Sequence, residues 1–339
     1  MRDCPEKAAD ACLSEVGCLQ AAHPIHLPIA RYRLWFEAHQ PIQLPELAGS
    51  TWRGVLGHSL KKALCVTREP ECRSCSLVHS CVHAYIFETP PAPHASKMRK
   101  YPAAPHPFVL EAPKGAWQVQ PDSLYPLSLT LIGRSHAHLP HLIHALDQGA
   151  RSGVGRGRAR MALTHVEQET VPGSKQWILI HEAGGSVKSL PAQMPTISPV
   201  PESPVTLHLD TPLRIKRQGR PLGPDALTFG DLFSNLLRRI SLLSHFHSET
   251  PLETDFAGLT QAARQWPGMQ GTLQWHDWDR YSSRQGRHIP MNGVVGSLHL
   301  AAEDLATFWP FLCLAPYIHI GAGTSMGQGA CRLKWPGSY

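Results

Sequence analysis

The stretch TWRGVLGHSLKKALC (51–65) decides the fold, because TFGDLFSNLLRRISL (228–242) repeats its pattern in the second half of the chain. Each stretch begins with a threonine and an aromatic residue, continues with spaced leucines and carries a pair of basic residues. Apolar residues at this spacing indicate an amphipathic helix. Because a repeat constrains the whole architecture, we expect a duplicated fold.

A second pair of stretches supports the duplication. SGVGRGRARMAL (152–163) and TSMGQGACRLKW (324–335) each combine a glycine turn with a strand-like segment that carries basic residues. Strand-like and helical segments precede these turns in the same order in both halves. These segments are 29–38, 127–133 and 139–149 in the first half, and 205–216, 294–300 and 302–314 in the second.

The order strand, helix, strands, helix, strand, found twice, is that of the ferredoxin-like βαββαβ fold. We therefore predict an α+β protein of two tandem ferredoxin-like (RRM-like) domains, with a cysteine-rich insertion in the first. A proline-rich stretch with few large apolar residues separates them, as an extended linker does. The expected divisions are a leader (1–28), a first domain (29–185) with a cysteine cluster at 65–81, a linker (186–204) and a second domain (205–339).

The charge of the chain favours a polyanionic partner. Lys and Arg total 32 against 26 Asp and Glu, a net charge of +6, and several of the basic residues are clustered. Clustered cations suit a phosphate backbone, although solvated surface charge is the alternative. The chain has no apolar run of about 18 residues, and its N-terminus has no apolar signal core. We expect a cytoplasmic protein that makes no contact with membranes.

Four of the nine cysteines lie close together, and their spacing suggests a metal site. Cys65, Cys72, Cys75 and Cys81 include a Cys-x(2)-Cys pair, which supplies two tetrahedral ligands from one turn. We predict structural zinc, with an iron–sulfur cluster or free thiols as alternatives. An odd number of cysteines in a chain without a signal argues against a disulfide framework.

The C-terminal loop HIGAGTSMGQG contains Gly321, Gly323, Gly327 and Gly329. Glycine tolerates positive φ and close approach, so such a loop can present amide groups to phosphates. A dinucleotide or P-loop fingerprint would need a strand before the glycines and a helix after them. Here a predicted helix precedes the loop and a strand follows it. A phosphate-contacting loop and a purely structural turn both remain open.

Together these motifs resemble a known family. GVLGHSLKKAL, the cysteine cluster ending in CVHAYIFE, the stretch WHDWDRYSSRQ (275–285) and the loop HIGAGTSMGQG are similar to the CRISPR-associated pre-crRNA-processing endoribonucleases of the RAMP superfamily. The likeness covers roughly residues 29–335. It implies tandem ferredoxin-like folds, binding of CRISPR repeat RNA and crRNA, and contact with other CRISPR effector subunits. It also implies cleavage without a catalytic metal, by attack of a ribose 2′-OH that leaves a 2′,3′-cyclic phosphate and a 5′-OH.

Such a reaction needs a base, an acid and positive charge at the phosphorus. His58 lies off the apolar stripe of its predicted helix, with Lys61 and Lys62 three and four residues later. The resemblance also implies a catalytic histidine on or just after this helix. We predict that His58, Lys61 and Lys62 form the catalytic group. His39 and His83 are the alternatives, and a basic surface without catalysis is the other interpretation.

RNA-binding proteins clamp phosphates with arginine and contact bases with polar or aromatic side chains. Surface ion pairs are the alternative for any one of these residues. The predicted RNA-binding residues, besides the four loop glycines, are Arg156, Arg158, Arg160, Arg238, Arg239, Arg280, Tyr281 and Arg284.

Two rival functions remain. A non-catalytic RAMP subunit would hold crRNA in an effector complex without cutting it. A zinc protein that binds DNA is disfavoured, because a single cysteine cluster without a recognition-helix pattern is a poor reader of DNA.

Overall fold

The computed structural model describes residues 25–90, 104–115, 117–282 and 286–337. The prediction of a leader at 1–28 lies almost entirely outside these residues. The first half comprises, in chain order, β1 (Ile29–Ala38), β2 (Ile42–Leu44), α1 (Gly49–Leu64), β3 (Phe108–Glu111), β4 (Trp117–Val119), β5 (Leu124–Ile132), α2 (Leu139–Ser152), β6 (Met161–Glu169) and β7 (Trp177–Glu182).

The second half also begins with a strand and ends with helical segments followed by a strand. Its elements are β8 (Val205–Leu213), β9 (Lys216–Arg217), β10 (Arg220–Pro221), α3 (Phe229–His247), α4 (Phe256–Gln265), β11 (Met269–His276), β12 (Asp279–Ser282), β13 (Arg287–Pro290), β14 (Gly293–Leu300), α5 (Trp309–Leu312), α6 (Ala315–Ile318) and β15 (Cys331–Lys334). In the described part of the chain, no helix is long and apolar enough to cross a membrane.

Each half has an antiparallel sheet packed against its helices. The strand order is β3-β5-β1-β6-β7 in the first sheet and β11-β14-β8-β15 in the second. Strand β1 alternates fully buried residues such as Leu34 with half-buried ones such as Arg33, because successive side chains point to opposite faces. The buried set packs with Trp52 and Leu56 of α1. Burial of a side chain such as Leu34 contributes about 2 kcal/mol.

Helix α3 is defined at its start by a capping box. The Thr228 side chain accepts a hydrogen bond from the Asp231 amide at 3.3 Å, and the Asp231 carboxylate accepts one from the Thr228 amide at 3.1 Å. These bonds satisfy amides that have no partner within the helix. Leu232, Phe233 and Leu236 then fill the core of the second half. The predicted helix at 228–242 is therefore confirmed.

The helix predicted at 302–314 is broken into pieces. A single 3-10 turn at Leu305–Thr307 is followed by the four-residue helices α5 and α6. Pro310 and Pro316 lie at the first positions of α5 and α6. Proline lacks the amide that would continue a helix and is favoured at helix starts. The apolar periodicity correctly predicted helical turns in this segment, but these prolines divide the helix.

Residues 186–204 form irregular chain that is nevertheless fixed to both halves. Ile29 and Gln193 exchange backbone hydrogen bonds of 2.7 and 3.0 Å. The indole of Trp309 donates to the Ser198 carbonyl at 2.7 Å. Because these bonds join the segment to β1 and to α5, the segment packs between elements of both halves and is not a free tether.

Candidate active site

The C-terminal glycine loop packs tightly on its own half. Gly321, Gly323, Gly327 and Gly329 all have positive φ, between 66° and 88°. A side chain at Gly329 would collide with the Ile320 carbonyl, so only glycine fits there. The Gly321 amide donates to Asn235 Oδ1 at 2.9 Å, and the Gly329 amide donates to the Pro212 carbonyl at 3.1 Å. These amides therefore hold the loop in shape and do not face a ligand.

The same loop also contacts the first half, at the start of α1. Gly49 approaches the Met326 carbonyl so closely that a Cβ there would overlap it. One turn later, Arg53 Nε donates to Ser325 Oγ at 3.1 Å. A second nitrogen of Arg53 donates to His106 Nε2 at 3.0 Å, and the guanidinium lies 5.2 Å from the centre of the Phe87 ring. Arg53 thus joins the glycine loop to the chain entering β3.

His106 is held in its neutral form at this junction. Burial, together with the nearby side chains of Arg53, Arg239 and His247, lowers the pKa of His106 to about 3, although a hydrogen bond to the Ile86 backbone opposes the shift. Because arginine can only donate, Nε2 of the ring must accept the bond from Arg53. The ring proton is therefore on Nδ1.

A second contact between the halves lies at the base of the loop. His319, the first residue of the loop, is fully buried and has a φ of 61°. Its Nε2 lies 3.4 Å from Oε1 of Glu111 at the end of β3, and its Nδ1 lies 3.2 Å from the Gln328 carbonyl. Positive φ is uncommon for a residue with a Cβ and is often associated with functional sites.

The first-half glycine turn lies against the segment that links β1 to α1. The His39 amide donates to the Arg160 carbonyl at 3.0 Å, and the Arg160 amide donates to Gln40 Oε1 at 3.3 Å. Gly155 packs on the Gln43 carbonyl. Both glycine turns therefore contact residues 39–53, one near its start and the other near its end.

Comparisons with known proteins agree with this arrangement. A family model described as an N-terminal domain matches residues 27–192, and the model of the CRISPR-associated endoribonuclease Cas6 matches residues 207–331. The second half of the chain is therefore similar to the CRISPR-associated endoribonuclease Cas6. The family resemblance drawn from its motifs is thereby confirmed. No curated protein matches the chain at the sequence level.

Solved structures of Cas6 proteins share the fold. A Thermus thermophilus Cas6 in a product complex is 16% identical, with a TM-score of 0.53, and the match covers 91% of this chain and 99% of that one. The Cas6-containing chain of a partial Cas6-RT-Cas1–Cas2 complex is 12% identical, with a TM-score of 0.51. That match covers 92% of this chain and 46% of that chain. At these identities the likeness establishes a mixed α+β fold of the Cas6 kind.

The three residues predicted for catalysis differ in exposure. His58 and Lys62 are exposed on the solvent side of α1. Lys61 is half-buried, and its Nζ donates to the Pro70 carbonyl at 2.9 Å in the cysteine segment. Arg53 of α1 donates a hydrogen bond to the glycine loop. The assignment of His58 to catalysis remains a prediction.

The predicted RNA-binding arginines differ in exposure. Arg156, Arg158, Arg160 and Arg238 are exposed. Arg239 is only 8% exposed, and its Nε donates to the Ile318 carbonyl at 2.8 Å. The repeat aligns Arg239 with exposed Lys62, but the two side chains have opposite surroundings. Arg239 therefore does not belong to an exposed RNA-binding surface, contrary to that prediction.

Arg280 and Tyr281, the first residues of the stretch RYSSRQ, lie in β12, which pairs with β13. Arg280 pairs with Ile289 and Tyr281 with His288 along the two strands. Arg280 is half-buried, whereas Arg284 lies outside the described residues. At the open end of the hairpin, His288 Nδ1 lies 2.6 Å from Asp279 Oδ2. The assignment of Arg280 and Tyr281 to RNA binding remains a prediction.

The four clustered cysteines line one cavity of about 260 Å³. Thr67 Oγ1 lies 3.9 Å from Cys65 Sγ and 3.4 Å from Cys75 Sγ, and Cys72 Sγ lies 3.6 Å from His83 Nδ1. Over the described ranges, no three His, Cys, Asp or Glu side chains are grouped to hold a metal ion. Burial raises the pKa of the Cys72 thiol. The side chains as placed do not fit the predicted zinc site.

Sequence reasoning missed Arg53, His106, Glu111 and His319. One signal was available for Arg53, because it lies on the same face of α1 as the small residues Gly49 and Gly57. Small residues on a helix face permit close approach of another segment, and Arg53 lies between them.

Proposed function

We propose that this protein is an endoribonuclease that binds CRISPR repeat RNA and cleaves pre-crRNA to give mature guides. The observation that carries the proposal is the contact between Arg53 of α1 and Ser325 of the glycine loop. The loop lies within residues 207–331, which match the Cas6 family model. A cation fixed at a glycine loop is suited to a phosphate group.

We also infer that each half is a ferredoxin-like domain. Counting the main strands within each half, the sheet order is second, third, first, fourth in both. In each half a helix follows the first strand, and helical segments precede the last one. This arrangement supports the proposed domains at 29–185 and 205–339, with residues 186–204 between them.

The proposed reaction is a transesterification without a catalytic metal. A base removes the proton of a ribose 2′-OH, the 2′ oxygen attacks the adjacent phosphorus, and the bond from phosphorus to the 5′ oxygen breaks. An acid protonates the departing 5′ oxygen, so the products carry a 2′,3′-cyclic phosphate and a 5′-OH. Arg53 would stabilise the charge that develops on the phosphate. His58 and His39 are the proposed proton-transfer residues.

Exposed cations near both glycine turns would hold the RNA. Arg156, Arg158 and Arg160 lie against the segment linking β1 to α1, and Arg238 lies on α3. One similar structure is a product complex and another contains Cas1 and Cas2. By analogy we propose crRNA as the bound product and other CRISPR proteins as partners.

Incubation of the purified chain with its repeat RNA in EDTA tests the proposal. We expect a cut product with a cyclic phosphate at its new 3′ end. Intact RNA that stays tightly bound would instead identify a non-catalytic RAMP subunit. Cleavage that requires added metal would contradict the proposed reaction.

A further inference from the structure

We propose that the hairpin formed by β9 and β10 (residues 216–221, the basic hairpin) is a clamp for the phosphate backbone of RNA, beside the glycine loop. The clamp adds a contact surface to the proposed function and rests on that function for the identity of its partner. It holds the RNA by charge and does not read the sequence of bases.

The charge of the basic hairpin is the first observation. Residues 214–220, RIKRQGR, contain four basic residues and no acid. Arg217 is paired with Asp231, because its Nε donates to Oδ1 at 3.0 Å. Lys216 and Arg220 are exposed, and neither forms an ion pair with another of the described residues. Two cations of the hairpin are therefore accessible to a polyanion.

The basic hairpin is held in one conformation. Its turn residues Gln218 and Gly219 both have positive φ, 51° and 82°, as in the tight two-residue turns that join hairpin strands. At its base, the Leu222 amide donates to the Ile215 carbonyl at 2.9 Å. The ion pair with Asp231 fixes the hairpin to the first turn of α3. Because the backbone is already ordered, RNA binding costs less conformational entropy here than at a mobile loop.

The basic hairpin lies next to the glycine loop. The Ala322 amide of the loop donates to the Arg214 carbonyl at 3.0 Å, just before the hairpin begins. On α3, Asp231 holds the hairpin, and Asn235 accepts a hydrogen bond from the Gly321 amide of the loop at 2.9 Å. Because Asp231 and Asn235 are about one helical turn apart, α3 positions the hairpin and the loop side by side.

Arg238 continues the same face of α3. It follows Asp231 and Asn235 at a spacing that places the three side chains on one side of the helix. Its side chain is exposed, as are those of Lys216 and Arg220. An RNA backbone that passes the glycine loop can therefore meet cations both on the hairpin and on α3.

A nucleic-acid backbone fits this surface better than an acidic protein does. Residues 216–221 are all exposed and include no large apolar side chain. The centre of a protein–protein interface is apolar and poor in charge, whereas interfaces with nucleic acids are polar and positively charged. The partner is assigned as RNA, because the hairpin adjoins the loop at which RNA is proposed to bind.

Equilibrium binding of the full chain to repeat RNA at several salt concentrations tests the clamp. The RNA carries 2′-O-methyl groups, so it cannot be cut during the titration. The variant Lys216→Gln/Arg220→Gln removes both accessible charges, and the matched control Arg73→Gln/Lys188→Gln removes two exposed charges of the first half. Affinity of the hairpin variant should fall at least about fivefold near physiological salt, and the control should bind as the parent does. The dependence of log Kd on the log of the salt concentration should become shallower by about 1.5, since each lost phosphate contact removes about 0.7–0.9.

Absence of RNA binding by the parent, unchanged affinity in the folded hairpin variant, or equal losses in variant and control would overturn the proposal. Circular dichroism checks that each variant is folded. The charge-keeping variant Lys216→Arg/Arg220→Lys should bind like the parent, and a loss as large as that of the glutamine variant would overturn a clamp that acts by charge.

A scrambled RNA of the same length separates backbone contacts from base contacts. The hairpin variant should lose affinity for repeat and scrambled RNA by the same factor, and a loss confined to repeat RNA would contradict the backbone clamp. Because binding is measured without cleavage, a chain that binds RNA but does not cut it would contradict the proposed function and leave the clamp intact. A chain that cuts RNA while the hairpin variant binds normally would do the reverse.

Discussion

His319 and Glu111 lie 3.4 Å apart, between Nε2 and Oε1, and join the two halves at the base of the glycine loop. Burial tends to raise the pKa of Glu111, but the bond and charge of His319, with Arg31 and Lys114, outweigh it and lower the pKa. The carboxylate is therefore ionised in the folded protein. His319 adopts its positive φ with its Nδ1 3.2 Å from the Gln328 carbonyl.

Glu111→Gln is expected to destabilise the fold by about 1–3 kcal/mol, because His319 would remain buried without its charged partner. Since the folded-state pKa of Glu111 is lowered, the pair stabilises the protein above the ordinary pKa of glutamate. That contribution is lost as the pH falls through the folded-state pKa. Urea unfolding at pH 7 measures the loss. Exposed Glu182→Gln is the control, and equal stability of the two variants would contradict the prediction.

A pH effect is expected from His247, which ends α3. Its Nε2 donates to the Pro105 carbonyl at 2.8 Å, and its Nδ1 lies 3.1 Å from the Tyr85 hydroxyl. Burial, with the charges of Arg134 and Arg239, lowers the pKa of His247 to about 4, although the Pro105 bond opposes the shift. The unfolded chain therefore binds a proton below pH about 6.5 that the folded chain does not.

Stability should consequently fall between pH 7 and pH 4.5. In His247→Phe this fall should be smaller by about 2–3 kcal/mol, as the linkage relation gives for one such group. Urea titrations of both proteins at the two pH values measure the difference. An identical fall in parent and variant would show that His247 does not titrate as described.

Two glycines of α1 should respond in opposite ways to alanine. Gly54 is exposed with nothing near its Cβ position, so Gly54→Ala should stabilise the protein by about 0.5–1 kcal/mol through helix propensity. Gly49→Ala should destabilise it by about 1–3 kcal/mol, because the new methyl group overlaps the Met326 carbonyl. Thermal melts of both variants test the pair. Stabilisation by Gly49→Ala would mean that the loop does not pack on α1.

Parts of the fold were readable from the sequence because they depend on local patterns. Alternation predicted β1 with its observed bounds, and the spacing of leucines predicted α1 and α3. The glycine loop was correctly placed between helical turns and a strand. Pro310 and Pro316 divide the helix expected at 302–314. These prolines were a local signal of a break, but the prediction followed the apolar periodicity instead.

The site was less predictable, because it depends on contacts between distant residues. Arg53 meets Ser325 across the two halves, and no periodic pattern encodes that meeting. The burial of Arg239 could not be predicted from Lys62 either, because Lys62, which aligns with it in the repeat, is exposed. A position outside the apolar stripe of a helix predicts an exposed side chain, and His58 is exposed. The position does not predict which of the exposed side chains would contact RNA.

Removal of the imidazole of His58 tests the original catalytic assignment. If His58 transfers a proton, His58→Ala should slow single-turnover cleavage by at least about a hundredfold and leave RNA affinity nearly unchanged. His39→Ala, at the end of β1, provides the comparison. Near-normal turnover in His58→Ala together with a loss in His39→Ala would move the proton-transfer role to His39.

The central claim is that RNA is cut where α1 meets the glycine loop. Single-turnover cleavage of repeat RNA by Arg53→Gln, compared with Arg151→Gln on the outside of α2, measures it most directly. We expect the Arg53 variant to be slower by at least about a hundredfold, as for loss of a group that stabilises the transition state, and the control to be as fast as the parent. Cleavage by folded Arg53→Gln at the parent rate would contradict the account.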